Sequence, residues 1–393
     1  MSTPSGHRAP RHFAIIGAGM AGIACARTLA QAGHRVHLFE RESEAGGRMA
    51  CIQTPLGAFD SGAQFFTVRD PLFVRALKST PDVCRPWSAN AIRVLDAAGQ
   101  VVEAAQTTAA PGYAPPHESP YQPAPGSRHE PHWVAVPGMD ALLRHWAAPL
   151  GNALVTGTQV DRIAPDAQQA HGWQVHTTGT TGTMGSPDAA APCATPDQTT
   201  PQIHGGFDAV LIAVPPQSAR TLLAEHAPAL AAAFSDVRCA PCWTLMIAFP
   251  NANQPGLWTF GPQWNAARST HHRIAWLARE SSKPGRELIE RWTVQASPDW
   301  SAEHLQDDPA RVRDKLLRAF AEITGIRAEP ALAQTRCWVE AQTLTPLGRS
   351  HLWDAQARIG LAGDWCLGHR VEDAFVSGLS LALAVNDSRN GRF

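Results

Sequence analysis

The first patterned stretch of the chain is a short apolar run, Phe13-Ala14-Ile15-Ile16, with the length and composition of a strand buried on both faces. It stops at Gly17-Ala18-Gly19-Met20-Ala21-Gly22, and helical periodicity then continues through Ile23, Arg27, Leu29 and Ala30 until Gly33 ends it. A second alternating run, Arg35-Val36-His37-Leu38-Phe39, closes on Glu40. Trp133 to Met139 predicts a strand and turn ahead of a helix with Leu142, Leu143 and Trp146 on one side. Residues 153–163 and 172–177 predict strands of a small antiparallel sheet. Phe207 to Val214 reads as the final strand of parallel type, stopped by Pro215-Pro216 and followed by a helix with Leu222, Leu223 and Leu230. From about 235 to 340 the chain alternates again, rich in tryptophan, around a helix at 309–325 whose Val312, Leu316, Phe320 and Ile323 share a face. Arg358 to Asp364 reads as one more buried strand, and a helix opens near Val371 and runs to about Val385.

Three stretches break this order. Residues 90–105 predict a hairpin, Asn90 to Leu95 and Val101 to Ala105 around Ala98-Gly99. Residues 107–132 are proline-rich, an extended or mobile loop that holds both tyrosines, Tyr113 and Tyr121. Residues 178–206 have low complexity and no periodicity, and read as a disordered surface insert.

Composition narrows the function. With 393 residues, two domains are expected, and 44% hydrophobic content is enough for sizeable cores. A net charge of -1 excludes a broadly basic nucleic-acid binder and gives no reason for attraction to acidic membranes. No secretory signal and no uncharged apolar span of membrane length is evident, and the eight cysteines are scattered, so a cytoplasmic protein with reduced thiols is expected. No metal is expected, because the 17 histidines, His271-His272 included, show no ligand spacing. Cys239-Ala240-Pro241-Cys242 continues into a strand instead of opening a helix, so it reads as packing and not as a redox motif.

The chemistry is densest near the start. Strand, glycine turn, helix, strand and terminal acid fall in order within about thirty residues, the context that turns G-x-G-x-x-G into a dinucleotide fingerprint. Gly17 makes the tight turn, Gly19 lets backbone approach a pyrophosphate, and Gly22 lets the helix pack on the strand. The helix start at Met20 and Ala21 offers free N–H groups and a positive dipole end to phosphate, and Glu40 is placed to accept from ribose hydroxyls.

After Glu40 comes Arg41-Glu42-Ser43-Glu44-Ala45-Gly46-Gly47-Arg48, and with the fingerprint this resembles the flavoprotein superfamily of amine oxidases, phytoene desaturases and protoporphyrinogen oxidase. The resemblance implies FAD, most simply non-covalent, although the cysteines leave a thioether link open. In that family Gly47 lets the chain pass close to the diphosphate and Arg48 contacts it; Arg41, Gly62, Ala63 and Val160 are further expected cofactor contacts. Gly363-Asp364 and the helix from Val371 resemble the family's second FAD motif. There Asp364 binds the ribityl or phosphate part, and Val371, Glu372 and Ala374 bring a helix start to the flavin's pyrimidine edge. Glycines expected near His369 and Asp373 are missing.

Narrower likenesses point to renalase-like proteins: Asp60 to Asp70, Pro137-Gly138-Met139, Ala275 to Arg286 and Gln295 to Ser301. They imply oxidation of a misreduced dihydronicotinamide (a 2- or 6-dihydro isomer of NAD(P)) with O2 reoxidising the flavin to give H2O2. Gln64, Phe65 and Phe66 are then expected near the isoalloxazine, and Trp338 where the chain returns to the flavin domain. Lys283 is one of only three lysines, and two readings stand for it, a flavin or substrate-phosphate contact or an ordinary loop lysine. The expected fold is α/β plus α+β. A Rossmann-type FAD domain spans 1–75, 133–234 and 341–393, and an antiparallel-sheet-and-helix substrate domain spans 76–132 and 235–340. The expected partners are a small-molecule substrate and O2. An amine oxidase is the alternative activity, disfavoured by the scarcity of tyrosine, and a non-catalytic FAD-binding sensor is a further one.

Overall fold

A computed structural model describes residues 9–87, 92–102, 131–180, 201–252, 262 and 264–387. The chain begins with β1 (His12–Ile16), α1 (Met20–Gln31), β2 (Arg35–Phe39), β3 (Cys51–Thr54), β4 (Gly57–Asp60) and α2 (Pro71–Lys78). Then come β5 (Cys84–Trp87), β6 (Ile92–Leu95), β7 (His132–Ala135), α3 (Ala141–Ala147), β8 (Leu154–Val155), β9 (Thr158–Pro165) and β10 (Trp173–Gly179). β11 (Gln202–Phe207), β12 (Ala209–Ile212), α4 (Pro216–Leu223) and α5 (Pro228–Ala232) lead into β13 (Arg238–Phe249), β14 (Ala266–Ser269), β15 (Ile274–Arg279) and β16 (Glu290–Ala296). The rest is α6 (Pro298–Glu303), α7 (Pro309–Thr324), β17 (Leu332–Thr345), β18 (Leu352–Asp354), β19 (Ile359–Leu361) and α8 (Val371–Asp387).

The first sheet has the order β18-β19-β12-β1-β2-β8, parallel except for β18. β1 lies inside it and is apolar on both sides for that reason. Ile15, Leu38 and Leu211 face α1, α3 and α8, while Ala14, Ile16, Phe39 and Ile212 pack with Ile163, Val175 and Phe207 of the β9–β11 sheet. α1 and α8 approach backbone to backbone: a Cβ on Gly378 would lie 2.0 Å from the Ala21 carbonyl oxygen.

A second sheet runs β17-β13-β16-β15-β14-β6, antiparallel except for the β14–β6 pair. One of its faces buries Leu245, Ile247, Leu277 and Val294 against Val312, Leu316, Phe320 and Ile323 of α7. α7 follows the expected 3.6 periodicity, starting at its Asp308 cap and ending at Gly325 in the left-handed region.

Several expectations change. The hairpin at 90–105 shrinks to a turn with one bridge, Leu95 to Val101, because β6 pairs with β14 instead; Asn90 and Ala105 lie outside the described residues. The insert at 178–206 is strand at both ends, since β10 reaches Gly179 and β11 begins at Gln202, where sheet pairing outweighs low complexity. Residues 181–200 within it, with Cys193, and the proline-rich loop with Tyr113 and Tyr121 up to residue 130 lie outside the described residues. The helix expected through Leu230 is two helices, α4 and α5, and Leu230 is only partly buried.

Candidate functional site

The fingerprint is built as its residue types require. Gly17 adopts φ +98°, a conformation open to glycine, and its N–H donates to the Phe39 carbonyl at 2.8 Å. A Cβ on Gly22 would stand 1.8 Å from the Gly17 oxygen, so only glycine allows α1 to sit this close to β1. Gly19 differs from both: a Cβ there meets nothing within 4 Å, and α1 starts at Gly19 with no side-chain cap. The first-turn N–H groups of Met20, Ala21 and Gly22 thus present a bare backbone surface suited to a diphosphate.

Glu40 is buried at the end of β2, accepting from the N–H of Ala18 at 2.7 Å and of Glu42 at 3.0 Å. Burial raises its pKa above the ordinary carboxylate value, against the pull of those two N–H groups. The neighbouring Arg41 is exposed and ion-paired with Glu42 at 3.5 Å. Gly47 lies against Gly19, with a Cβ there 3.2 Å from the Gly19 Cα. Arg48 then reaches across the chain: its guanidinium donates to the two Asp364 carboxylate oxygens at 2.9 and 2.5 Å. Burial opposes the Arg48 charge, but Asp364 outweighs it and holds the pKa above the ordinary value.

The segment after β4 is pinned to the same arginine. Ala63 N–H donates to the Arg48 carbonyl at 2.8 Å, and a Cβ on Gly62 would clash with that oxygen at 2.1 Å. Gly363 N–H donates to Ser377 Oγ of α8 at 2.9 Å. Glu372 is occupied locally, since its carboxylate accepts from the N–H groups of Arg69 and Asp70 at 2.6 and 2.5 Å and ties α8 to the start of α2. Val371 and Ala374 lie half-buried in the first turn of α8. Val160 is buried in β9, packed into the core behind β1 and β2.

Lys283 is no ordinary loop lysine. Its side chain is fully buried, and Nζ donates to Asp60 at 2.8 Å, Glu280 at 2.9 Å and Gln64 Oε1 at 3.1 Å. Arg286 joins at Asp60 Oδ2 at 2.5 Å, closing a buried cluster of two carboxylates and two cations. Burial opposes ionisation of Asp60, but Lys283 and Arg286 hold its pKa below the ordinary carboxylate value. Gln64 is thereby locked, its amide nitrogen donating to the Asp60 and Gly62 carbonyls at 2.5 and 3.0 Å. Phe65 packs between Trp87 and Trp276, with ring centroids 6.5 and 5.5 Å away. Trp338 donates from its indole nitrogen to the Ser61 carbonyl at 2.8 Å, and the Arg336 guanidinium lies 4.0 Å from its ring centroid.

The fold thus gathers two groups of expected residues. Gly17 to Gly22, Glu40, Gly47, Arg48, Gly62, Ala63, Gly363 and Asp364 adjoin one another, and Gln64, Phe65 and Lys283 adjoin Asp60 beside them. Sequence reasoning assigns no site role to Asp60, Glu280, Arg286, Trp87, Trp276 or Arg336. Glu280 carries a signal, three residues before the rare Lys283; Asp60 opens one of the renalase-like segments, but its pairing with Lys283 across 223 residues closes only in the fold. Among the described residues no group of histidines, cysteines and acids is placed to hold a metal ion, and no helix is long and apolar enough to cross a membrane.

An uncapped helix start over a bare glycine, a buried acid at the next strand's end and an arginine at the turn fit a flavin dinucleotide, and fold and site together define a Rossmann-type dinucleotide-binding protein. Residues 15–78 match the family described as NAD(P)-binding Rossmann-like domain, and residues 126–386, well over half of the chain, match flavin containing amine oxidoreductase. The chain belongs to the flavin-containing amine oxidoreductase family. Curated relatives match over short segments: L-amino-acid oxidase of Bungarus fasciatus is 52% identical over 40 residues, 10% of this chain and 8% of that protein. A 4,4'-diapophytoene desaturase (4,4'-diaponeurosporene-forming) of Staphylococcus haemolyticus (strain JCSC1435) is 40% identical over 58 residues, 15% of this chain and 12% of that protein. The chain therefore spans only about a tenth of the length of the curated relatives it matches. The structure of cyclohexylamine oxidase from Brevibacterium oxydans IH-35A superposes with a TM-score of 0.66 over 97% of this chain and 99% of that one, at 15% identity, a likeness of fold.

Proposed function

We propose that this protein is a renalase-like FAD-dependent oxidase that takes a hydride from a misreduced dihydronicotinamide isomer of NAD(P) and passes the electrons to O2. The observation that carries this reading is the Arg336 guanidinium over the Trp338 ring, beside the Ser61–Gly62 backbone. Arg336 also faces Glu42 at 3.8 Å, so a nucleotide phosphate would share that guanidinium with a carboxylate, whereas a protonated amine approaching the ring meets a cation 4.0 Å from its centroid. When bound, FAD would supply the two-electron acceptor: the dihydropyridine loses a hydride and becomes an aromatic pyridinium, and O2 leaves as H2O2 with the two electrons, the proton carried in the hydride and one more proton from water.

The chain's own part is binding, alignment and exclusion of water. Glu40 holds the ribose hydroxyls, Gly17 to Gly22 and Arg48 the diphosphate, and Asp364 the ribityl chain. Arg41, Gly47, Gly62, Ala63, Val160 and Gly363 supply contacts along the cofactor. Val371, Glu372 and Ala374 bring the positive end of α8 to the pyrimidine edge. Lys283, with all its charge balanced by Asp60 and Glu280, orients Gln64 and does not act as a free base, and hydride transfer needs none. Phe65 and Trp338 border the reacting ring. The division into a cofactor domain (1–75, 133–234, 341–393) and a substrate domain (76–132, 235–340) belongs to this reading. So does a reducing, cytoplasmic setting, for which the free thiols of Cys25, Cys51 and Cys366 are suited.

Oxidation of an amine is the second reading, favoured by the rings of Phe65, Trp87 and Trp276, which would cage a cation; Lys283 already lies 5.6 Å over Trp87. Anaerobic mixing of the holoenzyme with dihydronicotinamide isomers and with a panel of amines separates the two. Bleaching of the flavin by a dihydronicotinamide isomer is the expected result, and bleaching by amines alone overturns the proposal.

A further inference from the structure

We propose that the second sheet's face toward residues 61–65 recognises the substrate, and that Trp276 selects a ring bearing an in-plane carbonyl, such as a carboxamide. This rests on the dihydronicotinamide reading and narrows it to one group of the substrate. Antiparallel pairing sets Arg336 opposite Thr244, Thr244 opposite Gln295 and Gln295 opposite Trp276. Directly opposed residues share a face, so four polar side chains cross β17, β13, β16 and β15 in one row.

Contacts settle which way the row looks. Gln295 donates to the Gly62 carbonyl at 2.6 Å, Trp276 lies 5.5 Å from the Phe65 ring, and Arg336 covers Trp338, which holds the Ser61 carbonyl. Each contact reaches the segment that the proposed function sets beside the reacting ring.

Trp276 shares a buried indole N–H without an acceptor with Trp146 of α3 and Trp353 of β18, and of the three it is the one that lies on this face of the second sheet. Trp338, Trp87 and Trp243 each give their indole N–H to an oxygen, of Ser61, Ser282 and His304 respectively. The Trp276 side chain is buried, 9% exposed, and its Nε1 finds no acceptor among the described residues. A buried indole N–H without an acceptor has given up its bond to water for nothing in return, and an acceptor arriving with the substrate restores that bond. The carboxamide oxygen of a nicotinamide is of this class: neutral, and close to the plane of the ring that carries it. Arg336, at the other end of the row and 3.8 Å from Glu42, would add the phosphate of the same molecule to the carboxylate it already faces. An alkylammonium offers no acceptor to Trp276, so that end of the row opposes the second reading.

The test uses the holoenzyme and binding, followed by perturbation of the flavin spectrum and by calorimetry. The probes are three pyridinium mononucleotides: nicotinamide, 3-acetylpyridine and unsubstituted pyridine. The wild type is expected to bind the first two alike and the unsubstituted ring about tenfold more weakly, the effect of one unpaired buried donor. Trp276→Phe is expected to bind all three at the weakest level. Equal wild-type binding of all three probes, no binding of any, or a carbonyl preference that survives Trp276→Phe overturns the proposal. If Trp276→Phe loses flavin, the wild-type series alone decides. Failure of the parent reading looks different: no dihydronicotinamide bleaches the flavin, whatever the carbonyl preference.

Discussion

Two ionic centres join distant parts of this chain, and they are built differently. Arg48 and Asp364 meet across 316 residues as one bidentate pair, the arginine side chain 28% exposed and next to the bare glycine turn. Lys283, Arg286, Asp60 and Glu280 form a closed set with every side chain fully buried and each cation facing a carboxylate. An open pair can exchange part of its partnership for a ligand anion. A closed set cannot do so without leaving a charge buried and uncompensated, which is far costlier than losing the pair whole. The first centre has the character of a binding site. The second is a frame that holds Gln64 and locks β4 to the segment following β15.

Breaking the closed set gives the largest expected effect. Lys283→Met leaves Glu280 buried without a cation and Asp60 with Arg286 alone, and urea unfolding should register a loss of about 3–5 kcal/mol. Unchanged stability would mean that water reaches the cluster and that the contrast between the centres is false. Gly378→Ala strikes the frame on the other side, forcing a methyl to within 2.0 Å of the Ala21 oxygen where α8 crosses α1. About 1–3 kcal/mol is expected in thermal unfolding, with flavin content falling too, because α1 carries the phosphate turn. Arg48→Ala, which strands Asp364, and Glu40→Ala, which leaves the N–H groups of Ala18 and Glu42 without an acceptor, should cost less stability than Lys283→Met, about 1–3 kcal/mol each, and weaken FAD retention about tenfold each. Normal flavin stoichiometry after dialysis of both variants would contradict the site assignment.

A further effect concerns pH. Burial pushes the Asp140 carboxyl up to about 6, with Arg144 pulling the other way. A carboxyl whose pKa is raised in the folded state binds its proton more tightly there. Its contribution to stability is full below the ordinary carboxylate range near pH 4 and is lost as pH rises through about 6. Asp140→Asn should flatten that part of the melting-temperature profile between about pH 4 and 6. A profile parallel to the wild type would refute the burial argument.

Much of the cofactor half is legible in the chain's local patterns. Gly17 to Gly22 and Glu40 lie on consecutive elements, so spacing alone orders them, and β1, α1 and β2 form where apolar periodicity sets them. The helix at α7 is equally plain, because its cap, its apolar stripe and its terminal glycine are all local. Local rules fail where pairing decides. β6 reads as half of a hairpin but joins β14, and β11 has no strand signal in QIHGGF yet extends the sheet beside β10. Their backbone groups take whatever partner the surrounding sheet offers, and that choice is made by segments far along the chain.

A dinucleotide turn, a second flavin motif around Asp364 and an aromatic sheet between them are each written in neighbouring residues. That Arg48 faces Asp364, that Lys283 meets Asp60 and Glu280, and that Arg336 and Trp276 share one row of the sheet follow from contacts between distant segments. The physical reason is range. Hydrophobic period, capping and glycine geometry act within a few residues, whereas burial, which decides what a charge or an indole N–H needs, depends on which distant surfaces close over it.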